Sequence, residues 1–130
     1  MIQPRIFARS VRHALQGLAA IFWSEQSFRI QSFLGVCVII LSVLLPLLQW
    51  ERILLFLLTA AVLILEILNT IIERVADAVQ PRLSPMVREV KDMMAAAVFL
   101  CALVSALVGI FIFSPPVYRI VCAILQLCKP

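Results

Sequence analysis

The stretch AVLILEILNTIIERVAD, Ala61 to Asp77, decides how this chain is read. It closes an apolar run that begins near Ile53 and continues to about Ile72, and a run of about 20 apolar residues is what a helix needs to cross a bilayer. Glu66 stands inside that run with apolar residues on both sides. A carboxylate deep in a span costs on the order of 2.5–3.5 kcal/mol on insertion scales, less near the interface, so it normally faces a cavity or a partner. At about 100° per residue, Glu66, Glu73 and Asp77 fall within about 20° of one line, with Asn69 about 60° off it. A single polar stripe thus descends an apolar helix. One polar residue alone would read as a hydrogen-bonding seam between helices; two carboxylates and an Asn in register favour a functional site.

Outward from this stretch lie two further apolar runs, from about Phe33 to Leu48 and from about Met93 to Phe113. The first is short, with Pro46 near its end, but Ile30 and Trp50 extend it and Trp50 suits an interfacial anchor. Pro115-Pro116 is expected to stop the third helix. The tail from Val117 to Leu127 is apolar but too short to span, and reads as a surface-lying or partner-packed helix. Of the 130 residues, 64% are hydrophobic, more apolar surface than a soluble domain can hide. The fold class is therefore an all-α membrane protein. One membrane domain covers residues 1–114, with a surface helix over about 5–27 and three transmembrane helices over about 31–50, 53–73 and 93–113; a short apolar tail covers 115–130. The basic N-terminus lacks the compact apolar core and cleavage site of a secretory signal, so it is expected to be retained.

Before the first span, Phe7, Val11, Leu15, Leu18 and Phe22 recur at helical spacing, with Arg5, Arg9, Arg12 and Gln16 on a second stripe. That is an amphipathic helix with a basic face, suited to the membrane interface. Cations also set the orientation. Arg5, Arg9, Arg12 and Arg29 precede the first span, and Arg74, Arg82, Arg88 and Lys91 lie between the second and third. Only Arg52 lies between the first and second. The N-terminus and the second connection are therefore expected in the cytoplasm and the Glu51-Arg52 turn outside; Arg119 and Lys129 in the outer tail run against that bias. The net charge of +4 is spread along the chain, as a topology signal is, and not gathered into a nucleic-acid footprint. Cys37, Cys101, Cys122 and Cys128 form no CxxC and no metal-ligand spacing with His13, and are expected as buried thiols.

Of seven acidic residues, only Glu51 falls on the outer side. Glu25 lies between the surface helix and the first span. Lys91-Asp92 opens the third apolar helix, where an Asp suits the helix N-terminus and a Lys can bind phosphate. Carboxylates and cations gathered at a membrane surface suit Mg²⁺ with phosphates, because Mg²⁺ takes one or two carboxylates and leaves its remaining positions to phosphate and water. No GxxxxGK[ST] or GxGxxG is present, and three glycines cannot form a phosphate-cradling loop.

EILNTIIERVAD (Glu66 to Asp77), followed fourteen residues later by KDMMAAAV (Lys91 to Val98), resembles the bacterial diacylglycerol kinase and undecaprenol kinase family. RHALQGL (Arg12 to Leu18) and SEQSFR (Ser24 to Arg29) resemble its N-terminal motifs, and the likeness runs from about Arg5 to Phe113. The resemblance implies a homotrimer of three-span subunits in the bacterial cytoplasmic membrane, with active sites between subunits, using ATP and Mg²⁺ to phosphorylate the hydroxyl of a membrane lipid. It implies Glu66 as catalytic base, and Glu25 and Glu73 as holders of Mg²⁺ with the ATP phosphates. Arg12, His13, Glu25, Asn69, Glu73, Asp77, Lys91 and Asp92 would line the nucleotide site, and Arg29, Glu66 and Asn69 the lipid headgroup site.

The chain departs from the family pattern at Ile71, where a small residue is usual; at Met94 or Ala96, where a Gly is common; and at Arg82-Leu83-Ser84, in place of Glu-Tyr-His. Gln31 replaces a carboxylate of the Gram-negative diacylglycerol kinases. Asn69-Thr70, Phe28-Arg29-Ile30 and the Pro81/Pro85 spacing look more like the undecaprenol branch, which puts a polyprenol ahead of diacylglycerol as substrate. The rival readings are a small four-helix multidrug transporter, which uses one membrane Glu but needs a fourth span, and a non-catalytic assembly subunit, which needs no paired carboxylates.

Overall fold

The computed structural model describes residues 4–79 and 85–125, folded into four α-helices: α1 (Pro4–Ser24), α2 (Gln26–Leu44), α3 (Gln49–Val79) and α4 (Pro85–Ile124). The helix α3 is central, packing against α2 on one side and α4 on the other, while α1 leans mainly on α2. The helices α2, α3 and α4 are each long and apolar enough to cross a membrane. Most of their large apolar side chains are exposed in a single copy, among them Phe33, Val43, Phe56, Phe99, Ile110 and Phe111. Apolar surface of this extent needs lipid or another protein chain against it.

Each junction has a local cause. The amphipathic α1 ends at Ser24, because Glu25 adopts an extended backbone (φ −106°, ψ 119°) from which α2 restarts. The guanidinium of Arg29 turns back to donate from Nη1 to the Phe22 and Trp23 carbonyls, at 3.2 and 3.0 Å, satisfying acceptors that a helix end leaves open. Further on, α2 stops at Leu44 and not near residue 50 as expected. Leu45 precedes Pro46, whose ring disfavours helical backbone in the residue before it, and Leu45 is extended at ψ 148°. Trp50 accordingly belongs to the first turn of α3. Glu51 caps that turn: its Oε2 accepts the Leu48 N–H at 2.8 Å, the carboxylate half of a capping box.

Two expectations about α4 need correction. The helix begins at Pro85, so Lys91 and Asp92 lie almost two turns inside it, and Asp92 is not a first-turn charge. Nor do Pro115 and Pro116 stop it: α4 runs through both to Ile124, carrying the start of the tail with it. Pro115 has no N–H for the Phe111 carbonyl four residues back. The Ser114 hydroxyl donates to that carbonyl instead, at 3.2 Å, so this acceptor keeps a donor in an apolar setting. The cysteines also divide: Cys37 and Cys101 are half-buried free thiols, whereas Cys122 is disulfide-bonded, not a buried thiol. The connection 80–84, including Arg82-Leu83-Ser84, and residues 126–130 lie outside the described residues.

Two contacts fix the spans against each other. Leu47, Leu55 and Ile112 form a small core joining the α2–α3 turn to α4. Nearer the start of α2, Gly35 meets α3 so closely that a Cβ there would lie 2.6 Å from Thr59 Cγ2. Small residues at such crossings let membrane helices pack backbone to backbone.

Candidate active site

The half of α3 that ends at Val79 carries the polar stripe, and the fold gives each of its members a partner. Glu66 is buried, 5% exposed. Its Oε1 accepts a 2.6 Å hydrogen bond from Gln31 Nε2 on α2. Thr70, one turn on, is also buried. Asn69 Nδ2 donates to Glu73 Oε1 at 3.1 Å, a pairing of neighbours four residues apart on one helix. The amide oxygens Gln31 Oε1 and Asn69 Oδ1 are buried without a hydrogen-bond donor among the described residues. Buried acceptors normally have partners, so two beside one carboxylate stripe mark a place where a ligand, ion or water belongs.

Below this buried layer lies an exposed ionic one. Arg74 Nη2 reaches across to the α1–α2 junction, donating to Ser24 Oγ at 2.5 Å and to Glu25 Oε1 at 3.2 Å. Lys91 Nζ on α4 pairs with Asp77 Oδ1 at 2.9 Å. Both ion pairs are open to solvent, so each contributes on the order of 1 kcal/mol or less to stability. Their interest is placement: Glu25, Glu73, Arg74, Asp77 and Lys91, drawn from three parts of the chain, meet at one end of the bundle.

The structure therefore brings together Glu25, Glu66, Asn69, Glu73, Asp77 and Lys91 from the expected site. It does not bring in the rest. Arg12 and His13 are exposed on α1 and Asp92 is exposed on α4. None of the three makes a side-chain hydrogen bond or ion pair among the described residues. Arg29, half-buried, spends its guanidinium on the end of α1. Three residues absent from the expected site now belong beside it: Gln31, Ser24 and Arg74. Gln31 stands out in the sequence only as a departure from the family's carboxylate, since it lies at the polar edge of its span between Ile30 and Ser32. Arg74 and Ser24 carry none, since their contact joins positions 50 residues apart.

Among the described residues no three His, Cys, Asp or Glu side chains converge as a ready-made metal cage. Mg²⁺ does not need one, since it is held by one or two carboxylates with phosphate and water completing the octahedron. The donors present suit it: Glu73 with the unpartnered Asn69 oxygen on its helix, and Glu25 facing the adjacent Arg74, form an all-oxygen set without nitrogen or sulfur ligands. An apolar cavity of about 440 Å³ opens between α1, α2 and α3, lined by Leu15, Leu18, Phe22, Phe28, Leu63 and Ile67 among others; Glu66 and Gln31 are not part of its lining.

The chain is similar to known proteins over most of its length. A family model described as prokaryotic diacylglycerol kinase matches residues 12–113, a span that contains every member of the cluster. An undecaprenol kinase of Bacillus subtilis (strain 168) is 32% identical over 109 residues, covering 84% of this chain and 89% of that protein. A diacylglycerol kinase of Synechocystis sp. is 37% identical over 108 residues, 82% of this chain and 62% of the relative. A diacylglycerol kinase of Haemophilus influenzae is 32% identical over 106 residues, 80% of this chain and 90% of the relative.

Proposed function

This chain belongs to the prokaryotic diacylglycerol kinase family, a family of membrane lipid kinases, and from that membership we propose that it transfers the γ-phosphate of ATP to the hydroxyl of a membrane lipid. The observation that carries the reading is the two-layer site. A buried carboxylate, Glu66, is oriented by Gln31, and an exposed cluster of carboxylates and cations follows it along α3. The chemistry divides along the same line. The lipid, held among the apolar faces of the helices, presents its hydroxyl to Glu66, which accepts the proton as the oxygen attacks the γ-phosphorus and the bond to the bridging oxygen breaks, releasing ADP. The triphosphate lies in the ionic layer. Phosphoryl transfer asks mainly for alignment and charge neutralisation, together with a group to take the hydroxyl proton.

Glu25 and Glu73 are the residues that would hold Mg²⁺, which when bound neutralises phosphate charge. Asn69 supplies the neighbouring oxygen, and Lys91, released from Asp77, meets phosphate. Polyprenol is the first candidate substrate: Asn69-Thr70 resembles the undecaprenol branch and the Bacillus relative is named for that lipid, whereas the Synechocystis and Haemophilus relatives are named for diacylglycerol. We place the N-terminus and the ionic layer in the cytoplasm, where ATP is, and read the working unit as a homotrimer, in which neighbouring copies cover part of the exposed apolar surface.

The test is direct. Purified protein in mixed micelles or nanodiscs, given MgATP and either undecaprenol or diacylglycerol, should form lipid phosphate, faster with undecaprenol. Phosphorylation of diacylglycerol alone would reverse the substrate assignment. Phosphorylation of neither lipid would overturn the kinase reading.

A further inference from the structure

The Arg74 contact has no counterpart among the expected site residues. Its guanidinium bridges the joint between α1 and α2 to α3, but it does so with one nitrogen: Nη2 serves both Ser24 Oγ and Glu25 Oε1. Nη1 and Nε make no side-chain or backbone hydrogen bond among the described residues, and the side chain is 52% exposed. A guanidinium offers five donors in a planar fork suited to carboxylate and phosphate. Most of that capacity here faces solvent, beside Glu73 in sequence and against Glu25 in space.

We propose that Arg74 is a phosphate-binding residue of the nucleotide site, held on Glu25 and Ser24 until MgATP arrives. The inference rests on the kinase reading, in which Glu25 and Glu73 face Mg²⁺. A divalent cation at Glu25 competes directly with the guanidinium for the same carboxylate oxygen. The metal brings triphosphate oxygens with it, which are stronger and more numerous acceptors for Arg74 than one shared carboxylate. The exchange balances in charge: Glu25 changes its counter-ion from guanidinium to Mg²⁺, and Arg74 changes from carboxylate to phosphate. No bond is made or broken. Because Ser24 and Glu25 form the joint at which α1 meets α2, the exchange also releases the tie between that joint and α3.

The test uses the full chain in nanodiscs with three variants: Arg74→Ala, Arg74→Lys and Arg74→Gln. Binding of a non-hydrolysable ATP analogue with Mg²⁺ is measured without lipid substrate, alongside Mn²⁺ binding without nucleotide. Initial rates are then measured against MgATP and against lipid. Removing a charge-assisted hydrogen bond to phosphate should weaken nucleotide binding and raise the MgATP KM by about 10-fold or more in Arg74→Ala and Arg74→Gln. The lipid KM should stay within about twofold, and Arg74→Lys should recover part of the loss by keeping the charge but not the fork. Mn²⁺ alone should bind the Ala variant more tightly than the wild type, because its competitor is gone. A purely structural tie would instead lower thermal stability and leave nucleotide and Mn²⁺ affinities alone, and that result would overturn the inference. If the wild type binds MgATP yet phosphorylates neither lipid, the kinase reading fails by itself, and the analogue and Mn²⁺ data still decide the role of Arg74.

Discussion

Glu66 and Gln31 form the most buried polar contact of the site, and their chemistry sets the predictions at the scale of single residues. Glu66→Gln keeps the shape of the side chain and an oxygen for Gln31 to donate to, but cannot take the hydroxyl proton. Lipid phosphorylation should fall by about 10²–10⁴-fold, the usual contribution of a general acid–base, while nucleotide-analogue binding and thermal stability persist. A near-normal rate would leave Glu66 as helix glue. Gln31→Leu removes the donor that fixes this carboxylate. It should lower kcat and leave the MgATP KM near its wild-type value, because the amide reaches Glu66 and not the ionic layer; the kinetic split checks it. In that layer, Glu25→Gln and Glu73→Gln should each shift the Mg²⁺ dependence of the rate to higher concentration. An unshifted Mg²⁺ titration in both variants would remove the pair from the proposed metal site. The stripe Glu66, Asn69, Glu73, Asp77 was legible from helical spacing, since one helix fixes the relative angles of its own residues. The partners Gln31, Ser24 and Arg74 were not, because cross-helix contacts depend on packing and rotation that spacing does not encode.

Between elements, the approach of α2 to α3 is the contact most exposed to a small change. A methyl at position 35 would meet Thr59 Cγ2. Thr59 cannot swing aside, because its χ1 is stiff and its hydroxyl is bonded to the Leu55 carbonyl at 2.8 Å. Gly35→Ala gains about 1 kcal/mol of helix propensity against about 1–3 kcal/mol of overpacking, so the net change should be a modest loss of stability. Adding Thr59→Ser deletes the clashing methyl but keeps the hydroxyl, and should restore or exceed wild-type stability. Thermal unfolding of the single and double variants in detergent reads this out; equal losses in both would mean the helices are not held at this point. The boundaries of α2 and α4 show how local rules fare at this scale. Pro46 ended α2 early through its effect on Leu45, whereas α4 runs through Pro115 and Pro116, with the Ser114 hydroxyl serving the carbonyl that Pro115 leaves open.

Across the whole molecule, the arrangement of helices makes orientation the decisive question, since the proposed reaction needs the ionic layer on the side that holds ATP. The cation bias predicts that a Cys introduced at Gln49 reacts with an impermeant thiol reagent added outside intact cells, and that one introduced at Glu89 reacts only after permeabilisation. These labels belong in a background whose native cysteines are replaced. The reverse pattern would put the ionic layer on the wrong side and remove the argument for ATP. The exposed apolar faces of α2, α3 and α4 are the other feature of this scale, and crosslinking in native membranes should trap species up to a trimer.

The sequence by itself determined that this chain is helical and membrane-spanning, that a carboxylate stripe runs down one span, and which family its motifs resemble. These follow from quantities local to a segment: the length of an apolar run, a period of 3.6 residues, the cost of a charge in hydrocarbon. Only the tertiary structure decided which side chains answer that stripe: Gln31 holding Glu66, Arg74 reaching Glu25, Lys91 reaching Asp77. It also decided that α4 continues through two prolines. The reason is the same in each case. A polar group in a water-poor setting must find a partner, and which partner lies within 3 Å is fixed by how whole helices pack, not by the order of residues along any one of them.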